Sequence, residues 1–201
     1  MTRLLKKLQL GVLASGRGSN LGAIARAIED GRLAAEVRVL VCDKPEAGAL
    51  DIARAAGIES RVIERKNFAS RDEFESAILR ALREREVEWV ALAGFMRVLH
   101  KPVLSEFSGH VLNIHPSLLP AFPGLEAQRQ ALEHGAKISG CTVHFVDDGV
   151  DTGPIIAQRA AEVKDNDTVE SLSARILEQE HDLYWRVLQW IAEGKVKTGQ
   201  K

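Results

Sequence analysis

This sequence has little cysteine and almost no net charge. It holds 2 cysteines in 201 residues, Cys42 and Cys141, with no C-x-x-C spacing between them. That scarcity excludes a disulfide framework and is typical of reduced thiols in an intracellular protein. Lysine and arginine together number 27 and aspartate and glutamate 28, which gives a formal charge of −1. Composition therefore gives no indication of a nucleic-acid or membrane partner.

Long apolar runs, internal repeats and linkers are absent as well. No run reaches the length of a transmembrane helix. Residues 1–10 are basic but lack the apolar core and cleavage site of a signal peptide. We therefore expect a cytoplasmic protein that forms a single domain over residues 1–201.

Apolar, β-prone segments alternate with helical patterns along the chain. The predicted strands cover residues 8–14, 37–42, 61–63, 89–93, 111–114, 138–146 and 155–163. The predicted helices cover residues 21–29, 47–56, 70–85 and 168–191, and the third opens at a capping box formed by Ser70 and Glu73. This rhythm predicts an α/β fold with a doubly wound, mainly parallel, Rossmann-like sheet. Since a short turn joins the last two strands, we expect at least one antiparallel strand in the C-terminal part.

A glycine loop, Gly16-Arg17-Gly18-Ser19-Asn20, joins the first predicted strand to the first helix. Ligands of doubly wound sheets bind beyond the carboxyl ends of the strands, where this loop lies. A helix start offers free N–H groups and the positive end of the helix dipole, so the loop can bind a phosphate. It lacks the Gly-Lys-Ser/Thr of a Walker loop and the third glycine of a dinucleotide fingerprint. The structural alternative is a tight turn before a helix that Ser19 or Asn20 caps.

A polar pair ends another predicted strand, in the segment Asn113-Ile114-His115-Pro116. Alternate residues of a strand face the same way, so Asn113 and His115 share one side and Ile114 faces the core. An amide can donate a hydrogen bond to a developing oxyanion, and an imidazole can donate a proton near neutral pH. The pair therefore indicates acyl chemistry, with a polar cap on the strand end as the alternative.

A carboxylate beside His115 would raise the pKa of its ring and fix its orientation. The turn after the next strand carries three candidates, Asp147, Asp148 and Asp151, and spacing alone does not choose among them. This turn does not match a calcium loop, the histidines show no pairing on a helix, and no serine elbow is present. We therefore expect no metal in the site.

Five segments in chain order resemble the phosphoribosylglycinamide formyltransferases of purine synthesis. They are ASGRGSNL at 14–21, LAGFMR at 92–97, LNIHPSLLP at 112–120, GCTVHFV at 140–146 and GVDTGPII at 149–156. The resemblance implies a formyltransferase fold. It also implies transfer of a formyl group from 10-formyltetrahydrofolate, as co-substrate, to the amine of 5′-phosphoribosylglycinamide.

Roles for individual residues follow from the same resemblance. It implies that Asn113, His115 and Asp151 are catalytic, and so it selects Asp151 from the three candidates. The residues implied to bind the ribonucleotide are Gly18, Ser19, Asn20 and Glu180. The residues implied to bind the folate are Arg71, Met96, Arg97, Val98, Leu99, Asn113 and the backbone of residues 146–151. Residues 1–100 would then form a phosphate-binding half, and residues 101–201 a folate-binding and catalytic half.

Several of these residues have a structural alternative. Met96 could belong to the core, Arg71 could be a solvated first-turn residue, and Glu180 could be a surface charge on a helix. The sequence also departs from the family at Glu126 and Gln128, where related chains often carry histidine or small residues. The contacts of that loop are therefore open.

Other classes of function remain as alternatives. A formyltetrahydrofolate hydrolase and methionyl-tRNA formyltransferase share the catalytic trio but resemble longer chains with a further domain. A non-catalytic folate- or nucleotide-binding module would tolerate loss of the trio. A dinucleotide-dependent oxidoreductase would need an acid for the ribose, for which Glu36 and Asp43 are candidates. We expect small-molecule substrates, no nucleic-acid or membrane partner, and a monomer or homodimer.

Overall fold

The strands and helices alternate as the apolar pattern predicts. The structure is a computed structural model and describes residues 6–196. Residues 1–5 and 197–201 of the predicted domain lie outside the described residues. Residues 1–5 are also half of the segment searched for a signal peptide. The strands are β1 (Leu8–Ala14), β2 (Ala35–Cys42), β3 (Ser60–Val62), β4 (Trp89–Leu92), β5 (Val111–His115), β6 (Ile138–Phe145) and β7 (Ile155–Glu162). The helices are α1 (Ser19–Glu29), α2 (Ala49–Ala55), α3 (Arg71–Arg83), α4 (Lys101–Glu106), α5 (Ala127–Glu133) and α6 (Val169–Ala192).

All seven strands belong to one sheet, in the order β3-β2-β1-β4-β5-β6-β7. The pairings from β3 to β5 are parallel, and β6 runs antiparallel to both β5 and β7. The prediction of a doubly wound, mainly parallel sheet with an antiparallel strand in the C-terminal part is therefore confirmed. The strand order reverses between β1 and β4, and ligands of such sheets bind at the carboxyl ends beside this reversal.

Helices cover both faces of the sheet, and alternate residues of the strands face different cores. Val12 of β1 packs in the core formed with α1 and α6, while Leu13 packs in the core formed with α3 and α4. Burial on both faces explains why these strands are almost continuously apolar. The Tyr184 hydroxyl of α6 donates to the carbonyls of Leu92 and Leu112, at 3.0 and 3.1 Å, and so ties the helix to β4 and β5. Within residues 6–196, no helix is long and apolar enough to cross a membrane.

Two helices, α4 and α5, were not predicted. They span 6 and 7 residues, too short to show a helical period in the sequence. The capping box of α3 is only half formed as predicted. The Ser70 hydroxyl accepts the N–H of Glu73 at 3.1 Å, but the Glu73 carboxylate reaches the N–H of Ala69 rather than that of Ser70.

Candidate active site

The glycine loop leaves the carboxyl end of β1 and leads directly into α1. Gly18 has φ 76°, in the left-handed region, and a Cβ there would lie 2.5 Å from the Cα of Ala49. Glycine is therefore required by both conformation and space. No side chain caps the start of α1 and no acidic residue lies in its first turn, so the capping alternative is wrong. The free N–H groups of this turn are available to an anion.

Asn20 and Glu180, two of the predicted ribonucleotide residues, lie in contact. Asn20 Nδ2 donates to Glu180 Oε2 at 2.7 Å, which joins α1 to α6. Both side chains are buried, so the reading of Glu180 as a surface charge is wrong. Burial raises the pKa of Glu180 to about 7, against the opposing hydrogen bond from Asn20. Asn20 Oδ1 is buried without a partner among the described residues, so a hydrogen-bond acceptor beside the glycine loop has no donor there.

The raised pKa of Glu180 predicts a pH-dependent loss of stability. The ordinary pKa is 4.5 and the folded value about 7, so the folded state favours the protonated form. Its contribution is fully present below 4.5 and is lost as pH rises through 7, a change of about 3 kcal/mol at most. Glu180→Gln removes this titration. The unfolding free energy of the variant should therefore rise relative to that of the wild type between pH 5 and 8. Urea unfolding at both pH values measures it.

The matched control for this experiment is Glu178→Gln, which changes an exposed glutamate two residues earlier on the same helix. Its unfolding free energy should follow that of the wild type at both pH values. If the Glu180→Gln variant and the wild type instead keep a constant difference, then the Glu180 carboxyl does not titrate in this interval.

The three predicted catalytic residues come together at the carboxyl end of β5. Asn113 and His115 share one side of the strand, and the turn after β6 folds back so that Asp151 lies between them. His115 Nδ1 is 3.2 Å from Asp151 Oδ2, and Asn113 Nδ2 is 3.4 Å from Asp151 Oδ1. Gly153 allows this return, because a Cβ there would lie 1.8 Å from the carbonyl oxygen of Phe145.

The other two aspartates of the turn are placed differently. Asp147 Oδ1 accepts the N–H of Gly149 at 3.1 Å and the hydroxyl of Thr152 at 2.7 Å, and so it shapes the turn itself. Asp148 is exposed at the mouth of the groove along α4. Of the three candidates, only Asp151 contacts His115.

The electrostatics of this centre differ in one respect from the expectation. Burial lowers the pKa of His115, although the carbonyl of Phe122 and the carboxylate of Asp151 both act to raise it. Asp151 therefore raises the pKa of His115 as expected, but the net direction is downward because desolvation outweighs it. Burial acts to raise the pKa of Asp151, but the interaction with His144 and the hydrogen bond from the Gly124 N–H outweigh it, so the net direction is downward.

A loop between β5 and α5 closes over His115 and Asp151. His115 Nε2 lies 2.9 Å from the carbonyl oxygen of Phe122, and the N–H of Gly124 donates to Asp151 Oδ2 at 2.8 Å. Glu126, where the sequence departs from the family, has φ 56° and pairs with Arg129 at 3.4 Å on the exposed side. The loop therefore reaches the catalytic centre through its backbone, not through Glu126.

His144 is a residue of this centre that the sequence reasoning did not single out. It stands opposite Asn113 in the β5–β6 register, and its Nε2 lies 3.2 Å from Asn113 Nδ2 and 3.6 Å from Asp151 Oδ1. Its Nδ1 is 2.8 Å from the carbonyl oxygen of Phe145, which leaves Nε2 to accept the Asn113 amide. Only the strand pairing reveals this position, although the GCTVHFV segment contained the residue.

The predicted folate residues lie on the segment that follows β4. Met96 and Val98 are 60% and 40% exposed, so the placement of Met96 in the core is wrong. Leu99 is buried in the core under α3. The Arg97 guanidinium pairs with Asp43, the acid at the carboxyl end of β2. That contact leaves Asp43 engaged where a dinucleotide enzyme would bind a ribose.

A groove runs along α4 beside the catalytic centre. One part, about 660 Å³, is lined by the turn after β6, and a second part, about 940 Å³, lies between α3 and α4. Arg71 lines the second part and its Nη1 lies 2.5 Å from His100 Nε2. Arg71 is exposed and so available to an anionic group. Within residues 6–196, no group of three or more His, Cys, Asp or Glu could hold a metal ion.

Known proteins share this chain's sequence and structure almost from end to end. Residues 8–188 match the family described as formyl transferase. The phosphoribosylglycinamide formyltransferase of Bacillus subtilis (strain 168) is 46% identical over 190 residues, which cover 94% of this chain and 97% of that protein. The trifunctional purine biosynthetic protein adenosine-3 of Gallus gallus is 46% identical over 194 residues. The match covers 96% of this chain and 19% of that longer protein.

A solved structure gives the same result for the fold. The crystal structure of glycinamide ribonucleotide transformylase 1 from Symbiobacterium toebii superposes with a TM-score of 0.94 and 47% identity, covering 96% of this chain and 92% of that one. The match extends over the sheet, both helical layers and the segments that carry the catalytic centre. This chain therefore belongs to the formyl transferase family.

Proposed function

We propose that the protein transfers the formyl group of 10-formyltetrahydrofolate to the amine of 5′-phosphoribosylglycinamide. The products are N-formylglycinamide ribonucleotide and tetrahydrofolate, in de novo purine synthesis. End-to-end similarity to a phosphoribosylglycinamide formyltransferase carries this proposal. The cluster of Asn113, His115 and Asp151 at the carboxyl end of β5 supports it, because it offers an amide, an imidazole and a carboxylate to one reacting carbonyl.

The ribonucleotide enters with its phosphate at the start of α1. There the free N–H groups of Gly18, Ser19 and Asn20 face an anion, and no acidic first-turn residue opposes it. Glu180 lies beside this loop and meets the glycinamide end of the ribonucleotide. Binding energy gained at the phosphate, far from the chemistry, is then available to position the amine.

The folate occupies the groove beside the catalytic centre. The exposed side chains of Met96 and Val98 supply apolar contacts to it, and the backbone of Arg97, Leu99 and residues 146–151 supplies polar ones. Arg71, at the first turn of α3, binds a carboxylate of the tail. Asn113 meets the formyl end.

In the reaction the neutral amine attacks the formyl carbon directly, and the carbonyl oxygen becomes an oxyanion. Asn113 Nδ2 carries two hydrogens, of which one is directed at His144 Nε2 and the other, at 3.4 Å, at Asp151 Oδ1; the oxyanion replaces Asp151 as the acceptor of that second hydrogen. The attack leaves the amine nitrogen positively charged, and this nitrogen gives one proton to the pair formed by His115 and Asp151; the new negative charge of the oxyanion favours the protonated ring against the effect of burial. Asp151 stabilises that imidazolium, and the same proton passes from the pair to the departing folate nitrogen as the C–N bond breaks.

The rival reading is hydrolysis of the same folate by water. One assay separates the two: 10-formyltetrahydrofolate is supplied with and without the ribonucleotide, and release of tetrahydrofolate is followed. We expect release only with the ribonucleotide present, and the Asp151→Asn variant, purified identically, to show none above background. Release with water alone at the same rate would select the hydrolase and reject the proposal.

The remaining expectations stay predictions. They are a cytoplasmic location, a monomer or homodimer, the absence of a nucleic-acid partner, and the division into a phosphate-binding half and a folate-binding, catalytic half. The contact between Asn20 and Glu180 means that the ribonucleotide site would draw on both halves.

A further inference from the structure

The segment from Gly94 to His100 follows β4 and has no regular secondary structure. It therefore lacks the ladder or helical hydrogen bonds that fix a backbone. Side chains from three other parts of the chain hold it instead. They are Ser15, which follows β1, Asp43, which follows β2, and Glu75 on α3.

Ser15 binds the start of the segment twice. Its backbone N–H donates to the carbonyl of Gly94 at 3.0 Å, and its hydroxyl oxygen accepts the N–H of Met96 at 2.9 Å. Ser15 is 3% exposed and immediately precedes the glycine loop. The segment is thus joined to the carboxyl end of β1 at a fixed distance from the phosphate site.

Asp43 binds the middle of the segment. Arg97 Nε lies 2.5 Å from Asp43 Oδ2, and the guanidinium lies 5.6 Å from the centre of the Phe74 ring. Asp43 is buried, and its other oxygen has no partner among the described residues. Arg97 is therefore the partner that compensates this buried charge.

Glu75 binds the end of the segment. It is 1% exposed, and both of its oxygens accept the N–H of His100, at 3.1 and 2.9 Å. Burying a carboxylate costs more free energy of desolvation than a hydrogen bond from one backbone N–H returns. Its presence is explained if the position of His100 matters to the site.

These contacts fix how the segment presents its side chains. Asp43 holds the Arg97 guanidinium and Leu99 is buried in the core, whereas Met96 and Val98 are exposed. A binding segment that is already ordered spares its ligand the entropy of ordering it. Resting on the proposed function, we propose that Ser15, Asp43 and Glu75 are positioning residues that hold this segment in the shape that receives the formyl-folate.

The test uses substitutions at Glu75 that differ in one property. Glu75→Gln keeps an oxygen that can accept the His100 N–H, whereas Glu75→Met has a similar length and no such acceptor. We expect the Met variant to raise KM for 10-formyltetrahydrofolate about tenfold, with KM for the ribonucleotide within about twofold of the wild type. The Gln variant should restore the wild-type value. Calorimetry with tetrahydrofolate should show the same loss and rescue in Kd.

A second variant keeps the test decisive if the Met variant does not fold. Ser15→Ala removes only the oxygen that accepts the Met96 N–H, and it should raise the folate KM while leaving the ribonucleotide KM unchanged. Unchanged folate KM in the folded variants, or equal rises in both KM values, would overturn the proposal. A wild-type enzyme that neither binds tetrahydrofolate nor transfers formyl groups would instead reject the proposed function.

Discussion

The Asp151→Asn variant is expected to fold like the wild type and to lose about 10³-fold in kcat, within the usual range for a proton-transfer group. The amide can still accept the Gly124 N–H that now binds Asp151 Oδ2 at 2.8 Å. It cannot carry the negative charge that stabilises a protonated His115 or take the proton of the amine. Steady-state kinetics with both substrates saturating measures the loss.

Asparagine is the right replacement for a further reason. Asp151 has φ 55°, in the left-handed region, which asparagine adopts more readily than alanine does. The variant therefore separates loss of charge from backbone strain. Asp165→Asn, which changes an exposed aspartate paired with Lys137, is the matched control and should keep wild-type turnover. Near-normal kcat in the Asp151→Asn enzyme would remove this carboxylate from the mechanism.

The second large effect is expected from His115→Ala, which should lower kcat by about 10²- to 10³-fold. Binding should change little, because His115 contacts Phe122 and Asp151 within the protein and lies away from the start of α1. Calorimetry with the ribonucleotide and with tetrahydrofolate separates the two quantities. Both Kd values should stay within about threefold of the wild type, the pattern expected for a group that acts only in the transition state.

A control for this variant is available at the other end of the same strand. His110 immediately precedes β5 and packs on the ring of Trp89, with ring centres 4.4 Å apart. His110→Ala removes an imidazole at the opposite end of this strand from the reacting atoms, and should keep wild-type kcat. The proposed role of His115 would be wrong if its variant lost binding but kept most of its catalysis.

The sequence predicted the sheet well because its central strands are buried on both faces. β1 was predicted at its observed bounds, and the other strands within about two residues, since covered strands are nearly continuous apolar runs. The catalytic pair on β5 followed from the two-residue period of a strand. Short elements such as α4 carry no such period and were missed.

The rest of the site depends on contacts that a sequence does not display. Asp151 was one of three acids until the resemblance selected it, and its contact with His115 depends on a turn that folds back past Gly153. His144 enters the centre only through its antiparallel pairing with Asn113. Asp151 raises the pKa of His115 as predicted, but the net lowering could not be derived from the sequence, because burial, unlike a nearby charge, is a property of the whole fold.

The order of the strands also sets a length for the acceptor. The phosphate loop follows β1 and the catalytic pair ends β5, with β4 alone between them. Two inter-strand spacings separate these ends by roughly 10 Å. The sheet thus fixes the distance between the two strand ends, since hydrogen-bonded strands cannot change their spacing. A substrate whose linker between amine and phosphate is too short or too long would bind at one end and leave the other end out of reach. We therefore expect the enzyme to select its substrate by span as well as by chemistry.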